Sequence, residues 1–150
     1  MDPKGELWSQ GLQQGRTMSF LPQGGSMIPF IRAGDTVTIV PAAEGRLGDI
    51  VLLFQRDRWV LHRVVAKAAG QIITKGDALG QLDEPVTVQD ICGRAVSLER
   101  GGKVRSLDSL ASRLLGLAFS LTVSRVPNLI SLLAAAKRLA REGLGMVRHG

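Results

Sequence analysis

From Thr17 to about Ser97 apolar and polar positions alternate with a period of two, in short runs rich in β-branched residues and broken by Gly, Pro or Asp. The pattern predicts strands over 17–21, 36–40, 50–54, 58–65, 71–75 and 93–98. Gly34-Asp35 and Gly48-Asp49 each lead straight into a strand, which fits turns where Gly supplies a positive φ and Asp ties back to the backbone. After Gly101-Gly102 the period lengthens to that of a helix. Leu107, Leu110, Leu114, Leu117 and Leu121 fall on one side, and Ser109, Ser112, Arg113, Gly116 and Ser120 on the other. Pro127 ends this helix near Arg125, and a second fits 128–142, with Leu129, Leu132, Leu133, Ala136 and Ala140 opposite Lys137, Arg138 and Arg141. The expected organisation is a polar N-terminal segment 1–16, a β-rich domain 17–102 and a basic two-helix appendage 103–150. The fold class is mainly β, α+β when the helices are counted.

Composition narrows what such a chain can do. With 150 residues, 45% hydrophobic and 21% charged, it can bury one core without covalent staples. A single cysteine, Cys92, excludes an internal disulfide, and two histidines leave a Cys/His zinc site short of ligands, so neither metal nor cofactor is expected. Only six aromatics occur, none of them Tyr, and no helix-turn-helix pattern is present; nucleic acid is not an expected partner.

Charge is unevenly placed. Cations and acids cancel over residues 1–102, so the net +6 comes entirely from 103–150, where eight Lys and Arg face only Asp108 and Glu142. An apolar stretch over 114–136 is interrupted by Arg125 and Pro127, leaving uncharged halves below the roughly 17–25 residues a span needs. Residues 107–142 are therefore expected to dock on the core, on a partner protein or on an anionic membrane surface. The N-terminal stretch has no apolar run of the signal-peptide kind. The expected location is cytoplasmic or peripheral to a membrane. The runner-up is a C-terminal anchor with Lys137, Arg138 and Arg141 on the cytoplasmic side and the β-unit outside.

Candidate chemistry begins at 24–35, Gly-Gly-Ser-Met-Ile-Pro-Phe-Ile-Arg-Ala-Gly-Asp. Gly24 and Gly25 allow a tight backbone that would expose the Ser26 hydroxyl beside free N–H groups, as a nucleophile and an oxyanion both require. The plain alternative is a Gly-rich turn with a solvated serine. His62, in the run Val-Leu-His-Arg-Val-Val, shares a strand face with Val60 and Val64 and is either a hydrogen-bonded core residue or a general base. The segment 74–86 offers Asp77, Asp83 and Glu84 as carboxylates able to orient an imidazole, although Lys75-Gly76-Asp77 is good turn chemistry in its own right. Spacing alone does not choose between Asp77 and Asp83.

Taken in order, Gly-Ser-Met-x-Pro (25–29), Gly-Asp (34–35), Gly-Asp-Ile-Val (48–51), His-Arg-Val-Val (62–65), Lys-Gly-Asp (75–77) and Gly-Arg-Ala (93–95) resemble the type I signal peptidases. The likeness is to the branch of endoplasmic-reticulum, archaeal and sporulation enzymes that uses His where the common bacterial enzymes use Lys, and it covers residues 17–98. It implies a coiled β-sheet catalytic core, Ser26 as nucleophile, His62 as general base and Asp83 as orienting acid, with Asp77 mainly structural. It also implies an extended peptide bound as an added strand and cut after small residues. One departure is Gly24, which stands where the family carries a second Ser or Thr hydroxyl for the oxyanion, leaving backbone N–H groups around Gly24, Gly25 and Ser26 to serve.

Three functions compete on these grounds. The first is a serine endopeptidase acting through an acyl-enzyme, with a Ser26–Lys75 dyad as the variant mechanism. The second is a catalytically silent module of the same fold that binds an extended peptide and docks through its basic helices. A self-cleaving repressor is disfavoured, because only 25 residues precede Ser26.

Overall fold

A computed structural model describes residues 3–123. The helix expected over 128–142, and the basic positions from Arg125 onward, lie outside the described residues. Eight strands form one antiparallel sheet: β1 (Met18–Phe20), β2 (Thr36–Val40), β3 (Ile50–Gln55), β4 (Arg58–Ala68), β5 (Gln71–Lys75), β6 (Val86–Thr87), β7 (Ile91–Arg100) and β8 (Lys103–Ser106). The helices are α1 (Pro3–Gln13) and α2 (Leu110–Val123). Their order across the sheet is β1-β2-β7-β3-β4-β5-β6, with β8 pairing the second half of β7. Among the described residues the protein is mainly β, and no helix is long and apolar enough to cross a membrane.

Alternation accounts for the sheet. Val37, Ile39, Ile50, Leu52, Leu61, Ala95 and Leu98 bury on one side, and Val51, Leu53, Val64, Ile72 and Ile91 make a second cluster. A bulge between Val64 and Ala66 breaks the two-residue period, so Val65 and Ala66 both enter a third cluster with Ile73 beneath α2. Gly34 and Gly48 take the expected positive φ, and in each turn the following Asp accepts the N–H three residues back, from Arg32 to Asp35 and from Arg46 to Asp49.

Three expectations are extended or corrected. The segment 1–16 contains α1, because Leu12 is buried in the main core and Trp8 meets Phe20 edge-to-face at 5.5 Å. Two anchors on a polar segment give almost no periodicity to read. A boundary at 102 does not hold either, since β7 and β8 form a hairpin across Gly101-Gly102. Third, α2 is turned away from its expected orientation: Leu107 is buried and Leu117 and Leu121 pack on the core as expected, but Gly116 and Ser120 are buried while Leu110, Leu114 and Leu115 are exposed. The surface it covers holds Arg63 and Lys75 beside the Val65–Ala66–Ile73 cluster, so Gly116 and Ser120 face the charged groups while Leu117 and Leu121 pack on the apolar ones.

Candidate active site

Two strand edges frame a cavity of about 770 Å³. β1 pairs only with β2, and β4 meets β5 only from Arg63 onward. Among the described residues, therefore, neither the outer edge of β1 nor the edge of Arg58–His62 away from β3 has a strand partner. The cavity lies between these edges. Leu21 to Met27 line one wall, Asp57 to His62 the other, and both Ser26 and His62 belong to the lining.

Ser26 sits in a series of tight turns. Met27 carbonyl accepts the N–H of Phe30 and of Ile31, and Gly25 carbonyl accepts that of Ile28. Gly24 has φ +82° with open space around it, and Gly24 and Gly25 both line the cavity. The carbonyl of Ser26 accepts the Ala78 N–H at 2.9 Å. That approach depends on Gly76, where a Cβ would come within 2.8 Å of the same oxygen. Asp77 N–H reaches Met27 Sδ at 3.4 Å, a second tie between the serine turn and the loop after β5.

His62 is buried on β4 opposite Val51. Its Nδ1 lies 2.5 Å from Asp83 Oδ2, an oxygen that also accepts the Thr74 hydroxyl at 2.7 Å. Asp83 N–H in turn donates to Thr74 carbonyl at 2.9 Å, so one threonine grips the aspartate from both sides. With the proton on Nδ1, this arrangement fixes the tautomer that leaves the Nε2 lone pair available. Ser26 and His62 share the cavity, and no hydrogen bond joins their side chains.

Asp77, the other carboxylate left open by spacing, goes elsewhere. Its oxygens accept Arg63 Nε at 2.8 Å and Nη2 at 2.7 Å, while Arg63 Nη1 donates to Gly48 carbonyl at 2.8 Å. Lys75 is fully buried, and its ammonium donates to Gly76 carbonyl at 2.9 Å and to Ser120 Oγ of α2 at 3.2 Å. Burial pushes the Lys75 pKa below the ordinary lysine value, with Asp77 and Asp83 opposing the shift. A Ser26–Lys75 dyad is not supported, because Lys75 is absent from the lining and its ammonium donates to Gly76 carbonyl, Asp77 carbonyl and Ser120 Oγ. Glu84 is exposed and takes no part.

Sequence reasoning missed Thr74, Arg63, Gly116 and Ser120. Only Thr74 left a usable signal, since alternation along β5 sets it on the face of Ile72, beside Val64 of β4. Gly116 allows α2 to rest against Arg63; any Cβ there would collide with the guanidinium. Phe119 meets Phe30 edge-to-face at 5.5 Å, and the Arg63 guanidinium carbon lies 5.2 Å from the Phe30 ring centre. Among the described residues no group of three or more His, Cys, Asp or Glu side chains is arranged to hold a metal ion. Comparison of the chain with protein-family models, curated proteins and solved structures yields no significant match.

Proposed function

We propose that this protein is a serine endopeptidase of signal-peptidase type, cutting an extended peptide after small residues. The observation that carries this reading is the Asp83–His62 pair at the wall of the cavity that also holds Ser26, between two unpartnered strand edges. A peptide entering there can pair with both edges, main-chain hydrogen bonds giving affinity and alternate side chains giving selectivity. Ser26 Oγ attacks the scissile carbonyl carbon while His62 Nε2 takes the hydroxyl proton. Asp83 stabilises the imidazolium that forms. The oxyanion takes the Ser26 N–H, and with Gly24 in place of a hydroxyl-bearing residue that backbone donor carries most of the stabilisation. The tetrahedral adduct collapses as the C–N bond breaks, His62 gives its proton to the leaving amine, and water then releases the acyl group by the same route.

A second reading, a peptide-binding module that does not cut and docks through its basic helices, is favoured by the missing hydrogen bond between Ser26 and His62. A library of extended peptides separates the two. The peptidase reading expects cleavage after small residues, abolished in Ser26→Ala. Binding without turnover would establish the silent module, and undiminished cleavage by Ser26→Ala would overturn the assigned nucleophile.

A further inference from the structure

We propose that the outward face of α2 is a docking surface for an anionic lipid bilayer, with the helix lying in the plane of the headgroups. The proposal stands apart from the peptidase reading. The described part of α2 has 14 residues, about 21 Å, and Arg125 follows it in the sequence. Its outward residues carry no charge: Leu110, Leu114 and Leu115 are 66, 58 and 66% exposed, and Ala111, Ala118 and Thr122 lie between them. Leu47, 47% exposed, stands beside this helix, its carbonyl accepting Arg113 Nη2 at 2.8 Å.

A surface helix normally turns its apolar stripe to the core and its polar face to water. Here the inner face is committed to charged neighbours through Gly116 against Arg63 and Ser120 against Lys75, with Leu117 and Leu121 packed at its border. Rotating the helix to hide the outer leucines would bring their bulk against the buried guanidinium and ammonium groups. The exposure is therefore built in by the packing beneath it.

Charge identifies the occupant. β8, which leads into α2, exposes Lys103 and Arg105, while Arg46 beside Leu47 is exposed but paired with Asp49. Beyond Val123 the sequence adds Arg125, Lys137, Arg138, Arg141 and Arg148 against Glu142 alone. Uncharged leucines flanked by a cationic stretch match a surface that is apolar below and anionic above. A second copy of the chain fits poorly. Three leucines and their small neighbours present on the order of a few hundred Å², well below the roughly 800 Å² per partner of a stable interface, and two such regions would repel.

The test uses the full chain and two kinds of vesicle, phosphatidylcholine alone and phosphatidylcholine mixed with phosphatidylglycerol. Sedimentation with the mixed vesicles is expected to exceed that with phosphatidylcholine by about tenfold or more and to weaken in high salt. Replacing Leu110, Leu114 and Leu115 with Gln together should lower sedimentation by at least about tenfold. The exposed sites should leave the thermal midpoint unchanged; if the triple variant unfolds early, Leu115→Gln alone should still lower binding severalfold. Failure of the wild type to sediment, or equal sedimentation of wild type and variants, overturns the proposal. So does a wild-type dimer that the Leu-to-Gln changes convert to monomer, which would identify a second copy as the occupant.

Discussion

His62 and Arg63 are neighbours on one strand, and each is bound to an aspartate from the segment 74–86, yet they end in opposite environments. Each nitrogen of Arg63 is engaged: Nε and Nη2 donate to Asp77 and Nη1 to Gly48, and α2 closes over the group. His62 has one nitrogen held by Asp83 and the other left for the cavity. A one-residue step along β4 reverses the direction of the side chain, so two similar aspartate-bound side chains divide into one that stabilises and one with reactive capacity left over. A buried charge with each nitrogen engaged and no cavity beside it is a poor reagent. Incomplete satisfaction beside a cavity marks the pair worth testing for chemistry.

The largest effect expected from breaking this contrast is on activity. His62→Ala or Asp83→Asn should lower peptide cleavage on the order of 10⁴-fold, with little loss of thermal stability, measured by initial rates beside a melting curve. On the other face the balance reverses. Arg63→Met or Asp77→Leu strands a buried charge and should cost about 3–5 kcal/mol of unfolding free energy in denaturant titrations. The double substitution should cost less than either single change, because no orphan charge remains.

Gly116→Ala comes next. A methyl aimed at the Arg63 guanidinium should cost about 1–3 kcal/mol, more than alanine's helix preference returns, and a lower denaturation midpoint would show it. The smallest effect concerns another carboxylate–guanidinium pair that sharpens the comparison from outside the cavity. Arg100 donates Nε and Nη2 to Asp35, each at 2.7 Å, and these bonds hold the carboxyl below its ordinary value near 3.8. The unfolded chain binds that proton more readily. Stability from this pair is therefore complete above the ordinary value and is lost as pH falls through the lowered one. Melting temperature should drop more steeply with acid in the wild type than in Asp35→Asn.

Much of the sheet was legible. β2 and β5 match their predicted ranges, and the others differ at their ends or, as with β7, by a few residues on either side. β6 and β8 escaped notice because two and four half-exposed or exposed residues carry too little alternation. Leucine spacing revealed that α2 exists but not how it is turned, since periodicity locates a stripe without saying what surface waits beneath it. Of the two aspartates that spacing left open, the structure sends Asp83 to His62 and Asp77 to Arg63, a choice made by the chain path after β5.

The sequence by itself determined the strands, the Gly-Asp turns and the amphipathic helix, because these follow from local side-chain period and backbone freedom. Only the tertiary structure decided that Ser26 and His62 share a cavity, that Asp83, held by Thr74, grips the imidazole, and that α2 turns Leu110, Leu114 and Leu115 to the outside. Those outcomes depend on sheet register, on the bulge at Val65 and on which charged side chains are buried under the helix. No short window of residues encodes such long-range relations.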